Sequence, residues 1–109
     1  VLNKEGKQRS LRFDSDAIRI KKPARWDHKW RVILFDIPER LKPARDALRD
    51  SLRRAGCSEY QKSVFVHPYD FEEELKFLVE HYEVSAYVRT ILAEHMDNEL
   101  LLIEHFRLQ

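Results

Sequence analysis

The stretch that most constrains this chain is Arg31-Val32-Ile33-Leu34-Phe35-Asp36-Ile37-Pro38-Glu39, an apolar run stopped by one carboxylate and a proline. A short run rich in Val, Ile and Phe, closed by a breaker, reads as a buried central strand. Pro38 has no N–H for a ladder, so the strand ends at or before it. Asp36 then lies at the carboxyl end of a central strand, where open sheets tend to present ligands. Whether Asp36 works chemically or only terminates the strand is the question the rest of the sequence has to answer.

At 109 residues the chain is long enough for one two-layer core and no more. The single cysteine, Cys57, excludes an internal disulfide and argues against a thiolate zinc site. It is read as a sign of a reducing, cytoplasmic compartment. No run approaches the roughly 20 apolar residues of a membrane span, and no signal peptide is visible. Starting at Val1 without a methionine, the chain reads as a fragment. Its net charge of +1 hides an asymmetry: residues 1–31 carry ten Lys or Arg against four acids, the remainder ten against fifteen. The basic arm is the place to expect phosphate contacts, through Lys21, Lys22 and Arg25.

Short alternating pieces at 10–13 and 17–20 read as small strands, and Lys21-Lys22-Pro23 as a connector. A boundary is placed there, giving residues 1–25 as an N-terminal arm and 26–109 as the folded domain. Trp26 and Trp30 are expected to cap the core edge with their rings. Leu41, Ala44, Leu48, Leu52 and Ala55 recur at helical spacing, with Pro43 in the first turn and Gly56 as terminator. The other face of that helix carries Arg49 and Arg53, a solvated face by default and a nucleic-acid contact in the second reading. Residues 59–67 alternate as one strand. Asp70 is expected to cap a helix, with Glu73 as reciprocal partner and Phe71, Leu75, Leu78, Val79 and Tyr82 buried. Residues 84–93 read as a further strand, and 99–107 as a last element capped by Asp97, a helix with Leu100, Ile103 and Phe106 on one face in the favoured reading and an edge strand in the other.

The alternation predicts an α+β, ferredoxin-like βαββαβ sandwich, with helices on one face of an antiparallel sheet and an N-terminal extension. The bare sheet face calls for a cover, and a homodimer through Gln61, Ser63 and Phe65 is the expected one. The five histidines show no i, i+4 pairing, so a zinc site is not expected. One carboxylate is too little for Mg²⁺, although Asp36 from both subunits across a dimer axis would supply two ligands. Glu39, Arg45 and Ser63 are the candidate supporting groups around such a centre. The competing reading has Asp36 accepting backbone hydrogen bonds at the turn into Pro38.

Phe35-Asp36-Ile37-Pro38-Glu39 and Gln61-Lys62-Ser63-Val64-Phe65 together resemble the small CRISPR-associated adaptation endonuclease. A broader resemblance adds Trp26-Asp27-x-Lys29-Trp30-Arg31, Arg45-Asp46, Leu52, Gly56 and Val66-x-Pro68. This set is similar to the phenylacetate-catabolism repressor (PaaX) family, whose central domain is related to that endonuclease. The resemblance implies a dimerisation and regulatory domain of a DNA-binding transcriptional repressor. It further implies a preceding winged helix, with Leu2-Asn3-Lys4-Glu5-Gly6-Lys7 similar to its last wing, and an acyl-CoA effector. A regulator of this kind needs no cofactor, and the residues leave open whether the domain is also an enzyme. The alternative is a Mg²⁺- or Mn²⁺-dependent endonuclease, or a spacer-acquisition subunit partnering the CRISPR integrase, with Asp36 as its catalytic and metal-binding residue.

Overall fold

The apolar run forms β1 (Trp30–Phe35), an interior strand in a computed structural model that describes residues 18–108. It is flanked antiparallel by β3 (Val64–His67) and β4 (Val88–Ala93), with Val32 opposite both Val66 and Ile91. β2 (Ser58–Gln61) pairs outside β3 and completes the order β2-β3-β1-β4. Helix α1 (Lys42–Arg54) joins β1 to β2, and α2 (Glu72–His81) joins β3 to β4. This is the split βαββαβ path of a ferredoxin-like domain, the architecture expected.

The local signals of α1 act as read. Pro43 sits in its first turn, and Gly56 at φ +98° takes the left-handed conformation that ends it. The N–H groups of Gly56 and Cys57 bond back to the carbonyls of Arg53 and Leu52. In α2, Asp70 Oδ1 accepts the N–H of Glu72 at 3.0 Å, while Glu73 makes no return bond among the described residues.

Three boundaries differ from expectation. Residues 59–67 form two strands, because the chain reverses at Lys62-Ser63 with Ser63 at φ +66°. No Asn-Gly or similar pair announces that turn, so alternation alone runs through it. β4 starts at Val88, since fully buried Val84 closes the end of α2 and residues 85–87 form a 3-10 turn. Asp97 does not cap the last helix, α3 (Glu99–Phe106). Its carbonyl accepts the Tyr60 hydroxyl at 3.1 Å, and the helix opens from Asn98, whose carbonyl accepts the N–H of Leu102.

The two faces of β1 serve two cores. Ile33 and Phe35 join Phe65 under Leu48 and Leu52 of α1 and Leu75, Leu78 and Val79 of α2, with Phe71 and Val84. Trp30 and Val32 join Val66 on the other face, covered by α3 through Leu102, Ile103 and Phe106. The second face, expected to wait for a partner subunit, is thus covered within the chain. Leu102 replaces Leu100 in the buried stripe, and Leu100 is 81% exposed. The run Leu100-Leu101-Leu102-Ile103 is apolar all round, which hides the true stripe from a spacing argument.

The tryptophans close the edge of this second core as expected. Trp30 is fully buried and Trp26 half-buried, their rings 4.8 Å apart and edge-on. Of the arm, the expected strand at 10–13 and the wing-like start lie outside the described residues. Residues 18–20 form no strand, but Ile18 and Ile20 pack against the first core.

Candidate functional site

β1 delivers Asp36 to the surface just beyond its last ladder position, with buried Ile37 pinning the chain behind it. The Asp36 N–H donates to the Tyr87 carbonyl at 2.9 Å, and the Phe35 N–H to the Ser63 carbonyl at 3.1 Å. Ser63 is therefore brought beside the strand end, as a backbone acceptor. The Asp36 carboxylate is exposed and accepts no hydrogen bond among the described residues, so it does not cap the turn at Pro38. Arg45 is tied down nearby: it pairs with Glu39 at 3.1 Å and reaches the Ile37 carbonyl at 3.5 Å. Glu39 is thus engaged by an arginine rather than converging on Asp36. Among the described residues, no group of three or more His, Cys, Asp or Glu could hold a metal ion. One free carboxylate per chain can accept a hydrogen bond or an ion pair; alone it cannot build a divalent-cation site.

Arg49 and Arg53 are partly spent on the fold. Arg49 lies 5.8 Å from the Phe35 ring centroid and 3.6 Å from Asp46; Arg53 lies 6.0 Å from that of Phe65 and 2.6 Å from Glu59. Lys21, Lys22 and Arg25 stay exposed. Of the residues proposed for a dimer interface, Gln61 is exposed and Ser63 half-buried, but Phe65 is fully buried and stacks on Phe35. Phe65 belongs to the core of its own chain because its position in β3 faces α1 and α2.

At the opposite end of β1, the Trp26–Arg31 motif converges with Glu99 and His67, which no motif singled out. The Trp30 indole N–H donates to Glu99 Oε1 at 2.8 Å, and Arg31 forks onto Asp27 while bonding the Pro68 carbonyl at 2.8 Å. That guanidinium holds the Asp27 carboxyl below its ordinary range. His67 is buried among the rings of Tyr69, Phe71 and Phe106, each 5.5 to 5.6 Å away. Burial pushes its imidazole down to about 4. Cys57 is buried, and its thiol is pushed up to about 12 by the loss of solvent, which leaves it a packing residue. Two clefts flank Trp26 and His28 here. One, about 420 Å³, includes Asp27, Glu94 and Glu99; the other, about 410 Å³, includes Lys22, Arg25 and Arg107.

Topology and cores define a ferredoxin-like α+β domain with an added helix on its second face. The chain belongs to the PaaX family: residues 23–100 match the family model described as the PaaX protein central Cas2-like domain. The match takes in the tryptophan lead-in and the Asp36 strand, and stops at the second residue of α3. A search of curated proteins and a search of solved structures returned no match. Among the described residues, no helix is long and apolar enough to cross a membrane.

Proposed function

We propose that this domain is the dimerisation and regulatory module of a PaaX-like transcriptional repressor, with DNA read by a winged-helix domain on the same polypeptide. The observation that carries this reading is the family match across residues 23–100, from the tryptophan lead-in to α3. The edge of the sheet supports the dimer. β4 exposes Ile91 (52%) and Leu92 (57%) on opposite faces of a six-residue edge strand with no proline and one charge, Arg89. Natural edges are usually blunted by charge, proline or a covering element. A two-fold copy pairing β4 with β4 would satisfy the open backbone and cover both side chains. The interface therefore moves from the sheet face to the sheet edge.

Sedimentation of the purified chain tests this. The expected result is a dimer that Ile91→Lys converts to a folded monomer. A native chain that stays monomeric at about 100 μM would rule out this domain as the dimerisation module, since that concentration corresponds to only about 5 kcal/mol of association free energy.

A further inference from the structure

We infer that α3 is a proton-linked cover: it lifts from the second face of the sheet while the rest of the domain stays folded, and protonation of His67 favours the lifted form. The seat of α3 is light. Its eight residues bury one side chain, Leu102, with Ile103 and Phe106 half-buried, whereas α1 and α2 each bury three. Leu100 and Leu101, 81% and 65% exposed, face solvent. Among the described residues α3 makes no ion pair. Its side-chain hydrogen bonds to the sheet are Trp30 to Glu99 at 2.8 Å and, just ahead of the helix, Tyr60 to the Asp97 carbonyl at 3.1 Å. A helix this short is marginal in water without its packing. Both flanking residues, Asn98 at φ +64° and Arg107 at φ +55°, are left-handed without being glycine, and lifting the helix relieves that cost. The ladders of β1 to β3 and β4 and the first core are complete without α3. A lightly packed terminal unit of this kind is the part of a fold that opens first.

His67 is the latch. The Phe106 ring stands 6.2 Å from Trp30 and 5.5 Å from the His67 imidazole, so one side chain ties α3 to both. Tyr69 and Phe71 close the imidazole from the lead-in to α2, Gly56 borders it from the end of α1, and the Arg31 guanidinium faces it from β1. From the α3 side the titratable groups are His105, edge-on to Phe106, and Arg107. No carboxylate pairs with the ring among the described residues: Asp27 is held by Arg31, and Asp70 by the N–H of Glu72. Nδ1 accepts the Tyr69 N–H at 3.1 Å, so a proton arriving there ends that bond and sets a charge among rings beside a guanidinium. With α3 seated the imidazole is held down to about 4; lifting Phe106 wets its outer side and returns it toward the ordinary 6.5. The lifted form therefore takes up the proton first, and opening grows as pH falls below about 6.5. Three clefts take a wall from this segment: one from Leu101, Leu102 and His105, one from Glu99 and Ile103, one from Arg107 and Leu108. Lifting dismantles all three and bares Trp30, Val32 and Val66. The inference rests on the packing of α3 and is independent of the repressor reading.

Hydrogen exchange at single amides, corrected for the intrinsic pH dependence of the chemistry, tests it on the native chain and two variants. At about pH 7.5 the amides of Leu102 to Phe106 are expected to exchange about a hundredfold or more faster than those of β1. At about pH 5.5 their opening should rise about threefold to tenfold, with β1 still the slower set. His67→Gln should remove the rise. Phe106→Leu should open α3 about threefold or more further at the higher pH and shrink the rise, since the imidazole is then less covered. Continued protection of β1 shows that each variant folds; should His67→Gln fail that check, Phe106→Leu, at a half-buried position, decides alone. Exchange of α3 in step with β1 overturns the cover. Separate opening that is equal at both pH values, or that keeps its full rise in either folded variant, overturns the latch.

Discussion

At its carboxyl end β1 hands the chain to Asp36, whose exposed carboxylate has no partner among the described residues, whereas at its amino end Trp30 is fully buried and its indole is held by Glu99. Around Asp36 the neighbouring groups turn to one another, Arg45 to Glu39 and the backbone of Ser63 to Phe35. Around Trp30 they converge: a buried imidazole, the rings of Trp26 and Phe106, an arginine fork and two clefts of opposite charge. A carboxylate at a strand end is a site only when other side chains aim at it. In this domain the convergence is at the other end of the same strand.

Substitutions at the two ends should separate them clearly. Trp30→Ala removes the largest buried side chain of the second core and is expected to cost about 3–5 kcal/mol, read from urea unfolding. A loss below about 1 kcal/mol would mean that the face under α3 contributes little to stability. His67 gives the next effect, through pH. The unfolded chain takes up the imidazole proton near the ordinary 6.5, and the fold only near the depressed value of about 4. Stability is therefore full above about pH 6.5 and falls as pH drops through that window, by up to about 3 kcal/mol. Unfolding midpoints at pH 7 and about pH 5 should diverge for the native chain and much less for His67→Leu. Trp30→Phe keeps a ring but drops the bond to Glu99, at an expected cost of about 1–2 kcal/mol in the same unfolding assay. An equal loss on top of Glu99→Ala would show that the two residues are not coupled. Asp36→Asn should shift stability by no more than about 0.5 kcal/mol, since no group among the described residues holds its charge. A larger change would mean that the strand end is wired into the domain after all.

The features legible in the sequence were those with local causes. The apolar run, the proline that stops it, the glycine that ends α1 and the spacing of Phe71, Leu75, Leu78 and Val79 each act within a turn or two of chain. Together with the family resemblance they led to the ferredoxin-like fold. The misses had non-local causes. Nothing near Lys62-Ser63 announces a reversal that is fixed by pairing Phe65 with both Glu59 and Ile33. α3 is apolar around most of its circumference, so only its seat on Trp30 and Val66 decides which leucine is buried. Asp36 was conspicuous because the sequence displays strand ends clearly. The cleft of Lys22, Arg25 and Arg107 was half visible as a basic connector, but Arg107 and Tyr69 join it only through the fold.

The interior place of β1 also has a consequence in time. Of the four described strands it is the first made, yet its ladder partners are β3 and β4, the latter completed more than fifty residues later, since Phe35 meets Val88. Contacts of such long reach slow folding, because the loop between them must close before any contact forms. On a ribosome, residues 30–35 emerge as an apolar segment with both edges open and no partner yet synthesised. That segment is where a chaperone would be expected to bind the nascent chain, and where a stalled or truncated product would aggregate first.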